Sequence, residues 1–109
     1  MDVYGSTQKM SKILSKEKNI RKEYGDVIAK KVKQRITEFR AANNLKDISH
    51  VPPQKLHQLS GKYKNCFSVM ITGNWRLVFE AYTSDEELTL EKELAVIILV
   101  KEIVDYHGN

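Results

Sequence analysis

The chain has 109 residues, of which 41% are hydrophobic and 29% are charged, a composition typical of a folded domain and not of a disordered segment. Its longest apolar run, residues 94–100, is too short to span a membrane, and the first residues lack the apolar core of a secretory signal. Cys66 is the only cysteine, so no disulfide can form within the chain. We therefore expect one cytoplasmic domain over residues 1–109, without a membrane segment.

The net charge of +4 conceals a segregation of charge along the chain. Residues 9–40 hold eleven Lys and Arg against four Asp and Glu, whereas residues 80–93 hold six acids and one base. A basic surface favours a polyanionic partner such as nucleic acid, but a lysine-rich helix can equally be a solvated face. The acidic stretch at 83–93 predicts a solvated connecting loop.

Helical periodicity dominates the first half of the chain. Residues 7–15 predict a short helix, and after it apolar residues recur every three or four positions. Gly25 interrupts this stripe and Asp26 can cap a new start, so the stripe can form two helices in place of one. The Pro52–Pro53 pair prevents the helical half from continuing. The stripe consists of Ile20, Tyr24, Val27, Ile28, Val32, Ile36 and Phe39.

After Pro53 the apolar pattern changes to the alternation of β-strands. Thr-Gly-Asn at 72–74 predicts a tight hairpin turn. The last strand is apolar on both faces, as an interior strand is, and the face of Trp75, Leu77 and Phe79 can cover the helical stripe. Helices followed by a small, mostly antiparallel sheet indicate an α+β fold. The predicted strands are 55–61, 66–72, 75–82 and 94–107.

Several common functional sites have no sequence signal here. There is no phosphate-binding loop, dinucleotide fingerprint or nucleophile-elbow motif. His50, His57 and His107 lack the spacing of a zinc site, so neither a metal nor another cofactor is expected. Cys66 precedes a predicted strand, where a buried and inert thiol is expected.

A set of polar residues can converge if the last strand pairs with the 75–82 strand. RNA cleavage without a metal needs a base for the 2′-hydroxyl proton, an acid for the leaving 5′-oxygen, and cations for the phosphorane. Histidine titrates near neutrality, and arginine offers a phosphate two donors. The residues concerned are Arg76 on its strand, Tyr106 and His107 at the chain end, and His57, Lys62 and Lys64 near the first predicted strand.

A structural role for the same residues is an equal alternative at this point. In it, Tyr106 and His107 merely finish a strand, and Arg76 forms an ion pair with Glu80 or Glu102.

Two stretches of the sequence carry a family resemblance. They read LHQLSGKYKNCFSVMITGNWRLVFEA at 56–81 and EIVDYH at 102–107. The ordered pattern is a Leu-His-x-Leu-x-Gly strand, an aromatic-Ser strand, an Asn-Trp-Arg strand and a terminal Asp-Tyr-His. It resembles the HigB-like host-inhibition-of-growth toxins of the RelE/ParE superfamily. The helical part at 21–45 is also similar to helices of that family.

The resemblance implies an α+β toxin of a type II toxin–antitoxin pair, with N-terminal helices packed on a small curved antiparallel sheet. Such toxins are typically mRNA endonucleases that act on messages engaged by the ribosome. Their partner is an antitoxin, often a helix-turn-helix DNA-binding protein. By the same resemblance Arg76 contacts the scissile phosphate, Tyr106 and His107 serve proton transfer and base stacking, and His57 supports them.

The sequence departs from the family at two positions. Ser60 and Thr72 stand where many members have basic residues, and this loss weakens the stabilisation of transition-state charge. Lys62 and Lys64 are close enough in sequence to replace those cations. Two further functions therefore stay open: a catalytically weak or inactive domain that binds RNA or an antitoxin, and a protein poison like the gyrase-directed branch of the superfamily.

Overall fold

The computed structural model describes residues 1–106 as three helices packed on one face of a five-stranded sheet. The strands are β1 (Asp2–Gly5), β2 (His57–Gln58), β3 (Phe67–Thr72), β4 (Trp75–Tyr82) and β5 (Ile97–Asp105). The helices are α1 (Gln8–Leu14), α2 (Glu17–Tyr24) and α3 (Asp26–Ala41). None of these three helices is long and apolar enough to cross a membrane. The predicted α+β class is confirmed.

The sheet has the strand order β1-β5-β4-β3-β2, and β1 with β5 is its parallel pair. The remaining pairs are antiparallel, so the prediction of a mostly antiparallel sheet is confirmed. β5 lies between β1 and β4, as its apolar faces indicated. The register shifts between Met70 and Thr72 and between Val78 and Phe79. Shifts of this kind bend and twist a strand, which curves the sheet.

A shortened strand, a later strand start and an additional strand distinguish the structure from the prediction, and each depends on a turn or on a distant strand. The strand expected at 55–61 is only His57–Gln58, since Gly61–Tyr63 forms a 3-10 turn. The last strand begins at Ile97 and not at 94, since a 3-10 turn ends at Leu94. β1 precedes the helices and was not expected; its four residues are ordered by pairing with β5, far away in sequence.

The helical segments follow the sequence pattern closely. Thr7 caps α1 by accepting a hydrogen bond from the Met10 N–H at 3.0 Å. Gly25 separates α2 from α3 with a φ of +87°, a left-handed conformation that glycine adopts without a steric penalty. The division of the stripe into two helices is therefore confirmed. Val27 is the exception within the stripe, because it is 68% exposed.

The core lies between the helices and the sheet face that carries Trp75, Leu77 and Phe79. The Phe79 ring packs between Phe39 of α3 and Phe67 of β3, with centroids 5.1 and 5.8 Å away. The Trp75 ring meets Tyr24 edge-on at 6.0 Å. The expectation that this face covers the helical stripe is confirmed, and the opposite face of β4 carries Arg76 away from the core.

Candidate functional site

The candidate site lies on the sheet face away from the helices, at the end formed by the β3–β4 hairpin. The hairpin turn at 72–75 is as predicted, with Gly73 at a φ of +55°. β4 and β5 pair so that Arg76 stands opposite Val104. The Tyr106 N–H donates to the Asn74 carbonyl at 2.8 Å. Arg76 and Tyr106 therefore lie at the same end of the sheet, beside the same turn.

The Arg76 guanidinium is held by the hairpin backbone. Its Nη1 donates to the carbonyl oxygens of Gly73 at 2.8 Å and of Trp75 at 3.0 Å. Within residues 1–106 no carboxylate lies within 4 Å of this guanidinium. The alternative ion pair of Arg76 with Glu80 or Glu102 is thus wrong for this structure. The half-buried cation is fixed in place with donors to spare for an anion.

Glu80 and Glu102 instead bind other partners on the same face. Glu80 accepts a hydrogen bond from the Tyr82 hydroxyl at 2.8 Å and lies 3.9 Å from the Lys101 ammonium. Glu102 accepts a hydrogen bond from the Tyr63 hydroxyl.

The segment at 60–66 crosses this face and contributes residues that sequence reasoning missed. It connects β2 to β3, and the Leu59 N–H closes it by donating to the Cys66 carbonyl at 2.9 Å. The bond from Tyr63 to Glu102 draws the segment across to β5. There the Tyr63 ring meets the Tyr106 ring edge-on, with centroids 6.0 Å apart and planes at 61°.

Glu102 could have been placed on the Tyr106 face from sequence, since positions 102, 104 and 106 alternate together along a strand. Tyr63 carried no such signal, because its direction depends on the 3-10 turn that contains it.

The surroundings of Tyr63 favour the protonated form of its hydroxyl. Partial burial, the hydrogen bond to Glu102 and the negative charge of that carboxylate raise the pKa of Tyr63 to about 12. Burial also raises the pKa of the Cys66 thiol, with a smaller effect from Glu80. Cys66 is buried as expected, and its raised pKa favours the protonated thiol, which is less reactive than the thiolate.

The three described residues Lys62, Lys64 and His57, all expected at the site, lie in different places relative to it. Lys62 lies with its Nζ 5.1 Å above the Tyr63 ring and lines a cavity of about 290 Å³ beside Tyr106. Lys64 is exposed and does not line this cavity. His57 is exposed on β2, opposite Ser68 of β3, so it is separated from β4 by about 10 Å of sheet. The cavity is lined by Ser60, Gly61, Lys62, Tyr63, Val104, Asp105 and Tyr106.

Ser60 and Thr72 are the two positions where many members of the resembled family have a basic residue, and one of the two lies at the cavity. Ser60 directly precedes the 3-10 turn and lines the cavity, whereas Thr72 lies at the hairpin opposite Trp75. Lys62 therefore brings a cation to the cavity that Ser60 does not supply. His107 lies outside the described residues. Among residues 1–106 no cluster of three His, Cys, Asp or Glu side chains could hold a metal ion.

Comparison with known proteins identifies the family of the chain. A family model described as the RelE-like toxin of the type II toxin–antitoxin system HigB matches residues 7–94. The matched part covers the three helices and strands β2 to β4, including Arg76, and ends before β5. Searches of curated proteins and of solved structures found no match. The match spans well over half of the chain, and the chain belongs to the HigB-like family of RelE-like type II toxins.

Proposed function

We propose that this toxin inhibits translation by cutting messenger RNA engaged by the ribosome, without a metal ion. The observation that carries the proposal is the position of Arg76, a cation held by backbone carbonyls, unpaired with any carboxylate of residues 1–106 and beside the same turn as Tyr106. A fixed guanidinium of this kind is suited to bind a phosphate through two donors.

The reaction is an attack of a ribose 2′-oxygen on the adjacent phosphorus. A base removes the 2′-hydroxyl proton as the new P–O bond forms, and the bond from phosphorus to the 5′-oxygen breaks. An acid donates a proton to that 5′-oxygen, which leaves a 2′,3′-cyclic phosphate and a 5′-hydroxyl. In this scheme His107 transfers a proton, Tyr106 assists it and stacks on a base, and Arg76 stabilises the charge of the phosphorane.

The other candidate residues bind the RNA strand further out. Lys62 reaches the Tyr106 cavity and adds positive charge near the reacting phosphate. Lys64 and His57 are exposed outside the cavity, and in this scheme they contact the flanking phosphates. This arrangement supports nuclease activity despite Ser60 and Thr72, because the lost charge is restored in part by a neighbouring lysine.

Membership of a type II toxin family implies an antitoxin partner. We propose that this partner is a helix-turn-helix DNA-binding protein that keeps the toxin inactive in the cytoplasm. Its removal would release the active toxin.

The test is to map mRNA cleavage by primer extension after brief induction of the toxin. We expect cuts within translated codons for the native chain. Arg76→Ala and His107→Gln should each lower cleavage by about 100-fold or more, as loss of a group that stabilises a transition state does. Arg40→Ala, which removes an exposed arginine from α3, is the matched control and should cut like the native chain. Circular dichroism shows whether each variant is folded.

Two outcomes would contradict the proposal. Cleavage that persists in both folded variants would show that Arg76 and His107 are not the active residues. Growth arrest by the native chain without any cleavage would favour a protein poison, or a domain that only binds RNA or an antitoxin.

A further inference from the structure

We propose that Tyr63 and Tyr106 form the walls of a nucleobase pocket, in which one base of single-stranded RNA inserts beside the two rings. This inference rests on the proposed cleavage of RNA at the Arg76 end of the sheet, where Tyr106 stacks on a base, and it adds Tyr63 as the second ring that contacts that base. The site is the cavity of about 290 Å³ at the C-terminal end of β5.

The cavity has the composition that a base requires. The Tyr63 and Tyr106 rings meet edge-on and so form a corner, and the half-buried Val104 adds an apolar surface. Aromatic rings are the usual platforms on which proteins stack unpaired bases, because every base presents a flat π-face. A corner of two rings can contact a base on its face and on its edge.

The Tyr63 ring is held in position by a contact that is separate from the pocket. Its hydroxyl donates to Glu102, which belongs to β5 and stands opposite Val78 of β4. Tyr63 therefore joins the 60–66 segment to the strand that carries Tyr106. The ring is fixed before a base arrives, so little conformational entropy is lost when the base binds.

Lys62 provides the charge for the phosphate next to the base. Its ammonium lies over the Tyr63 ring at 5.1 Å from the centroid, at the margin of the cavity. A cation–π contact at an exposed site contributes only about 0.5–1 kcal/mol, so the lysine can leave the ring when a base occupies it. The lysine is then available to a backbone phosphate of the bound RNA.

The test measures binding of the intact chain to a short single-stranded RNA that contains 2-aminopurine and carries 2′-O-methyl groups that prevent cleavage. Stacking on an aromatic ring quenches the fluorescence of this base. We expect native protein to quench it. Tyr63→Phe keeps the ring but loses its bond to Glu102, so it should bind several-fold more weakly than native and still quench the base. Tyr63→Leu should weaken binding by about tenfold and reduce the quenching.

Tyr4→Leu is the matched control for loss of a tyrosine ring. Tyr4 lies on β1 beside Leu99, far along β5 from Tyr106, and is 55% exposed. This variant should bind and quench like the native chain. If Tyr63→Leu also behaves like native, or if native protein does not quench the base, the pocket proposal is overturned.

Two substitutions of Glu102 separate its hydrogen bond from its charge. Glu102→Gln and Glu102→Ala remove the same negative charge, but only glutamine keeps an oxygen that can accept the Tyr63 hydroxyl. We expect the glutamine variant to bind at least as well as native, and the alanine variant to bind several-fold more weakly than the glutamine variant. Equal binding by the two would overturn the positioning role of Glu102.

The same proteins distinguish the pocket from the nuclease. A native chain that binds the blocked RNA through Tyr63 but cuts no message would overturn the proposed function and leave the pocket. A chain that cuts messages equally well with tyrosine or leucine at 63 would overturn the pocket and leave the function.

Discussion

Tyr63 illustrates, at the scale of a single residue, how one hydrogen bond organises the open face of the sheet. Its hydroxyl binds Glu102 while its ring contacts Tyr106 and Lys62. The neutral hydroxyl is required as a donor, and the environment favours it by raising the pKa of Tyr63 to about 12. An unperturbed tyrosine has a pKa of about 10.

This pKa predicts a specific loss of stability at alkaline pH. The pKa of Tyr63 is higher in the folded state than in the unfolded state. Its contribution to the free energy of unfolding is therefore complete below about pH 10 and is lost as the pH rises through about 12. We expect Tyr63→Phe to show a smaller fall in unfolding free energy across this window than the native chain. Denaturant unfolding at several pH values measures it, and a tyrosinate absorbance titration should lose its latest phase.

Glu102→Gln is the control for the cause of this shift. Removing the carboxylate charge should lower the pKa of Tyr63 while the hydrogen bond is kept. An unchanged late phase in both variants would mean that another tyrosine is responsible.

At the scale of elements, β1 and α1 approach each other more closely than any side chain would allow. A β-carbon on Gly5 would lie 2.4 Å from the Ser11 nitrogen and 2.7 Å from the Met10 carbonyl carbon. Both are backbone atoms of α1 and cannot rotate away. Glycine is therefore needed at position 5 because there is no room for a β-carbon, and not because the backbone adopts a left-handed conformation.

Gly5→Ala should force β1 away from α1 or from β5. We expect a loss of about 2–3 kcal/mol of unfolding free energy, in the range found for overpacked cores. Urea unfolding measures it, with Asp2→Ala on the same strand as an exposed control that should change stability by no more than about 0.5 kcal/mol. A Gly5→Ala protein as stable as native would show that the two elements can separate freely.

At the scale of the whole molecule, Arg35 joins the helical layer to strand β3 and to the loop that precedes β2. Its Nε donates to the Met70 carbonyl at 2.8 Å, and its Nη2 to the Pro53 carbonyl at 3.2 Å. Its Nη1 forms an ion pair with Glu38 at 3.1 Å. The side chain is 3% exposed, so this cation is satisfied entirely by protein groups.

Arg35→Ala should destabilise the whole fold, because it leaves buried carbonyl groups and one carboxylate without their donor. We expect a loss of about 3 kcal/mol, below the upper range for a broken buried pair because Glu38 retains contact with water. Chemical denaturation measures it. Arg40→Ala, five residues further along the same helix and exposed, should leave the midpoint nearly unchanged; equal effects of the two would contradict a bridging role for Arg35.

Much of the fold could be read from local patterns. The break at Gly25, the hairpin at 72–75 and the bounds of β4 agree with the structure, because each depends on residues adjacent in sequence. The outward direction of Arg76 followed from alternation along one strand. The family resemblance was also carried by short stretches, and the match over residues 7–94 confirms it.

The tertiary structure alone decided the features that join distant segments. β1 is ordered by β5 across the whole chain, and Gly61–Tyr63 becomes a turn where alternation predicted a strand. That turn brings Lys62 and not Lys64 to the cavity, and it sends Tyr63 across to Glu102. The sequence by itself determined which residues of the helical stripe and of β4 face the core, except Val27, since that depends on a local period. The contacts among the outward-facing residues depend on strand register and on turn geometry. Both are determined by packing between segments that are distant in sequence, so a local pattern does not reveal them.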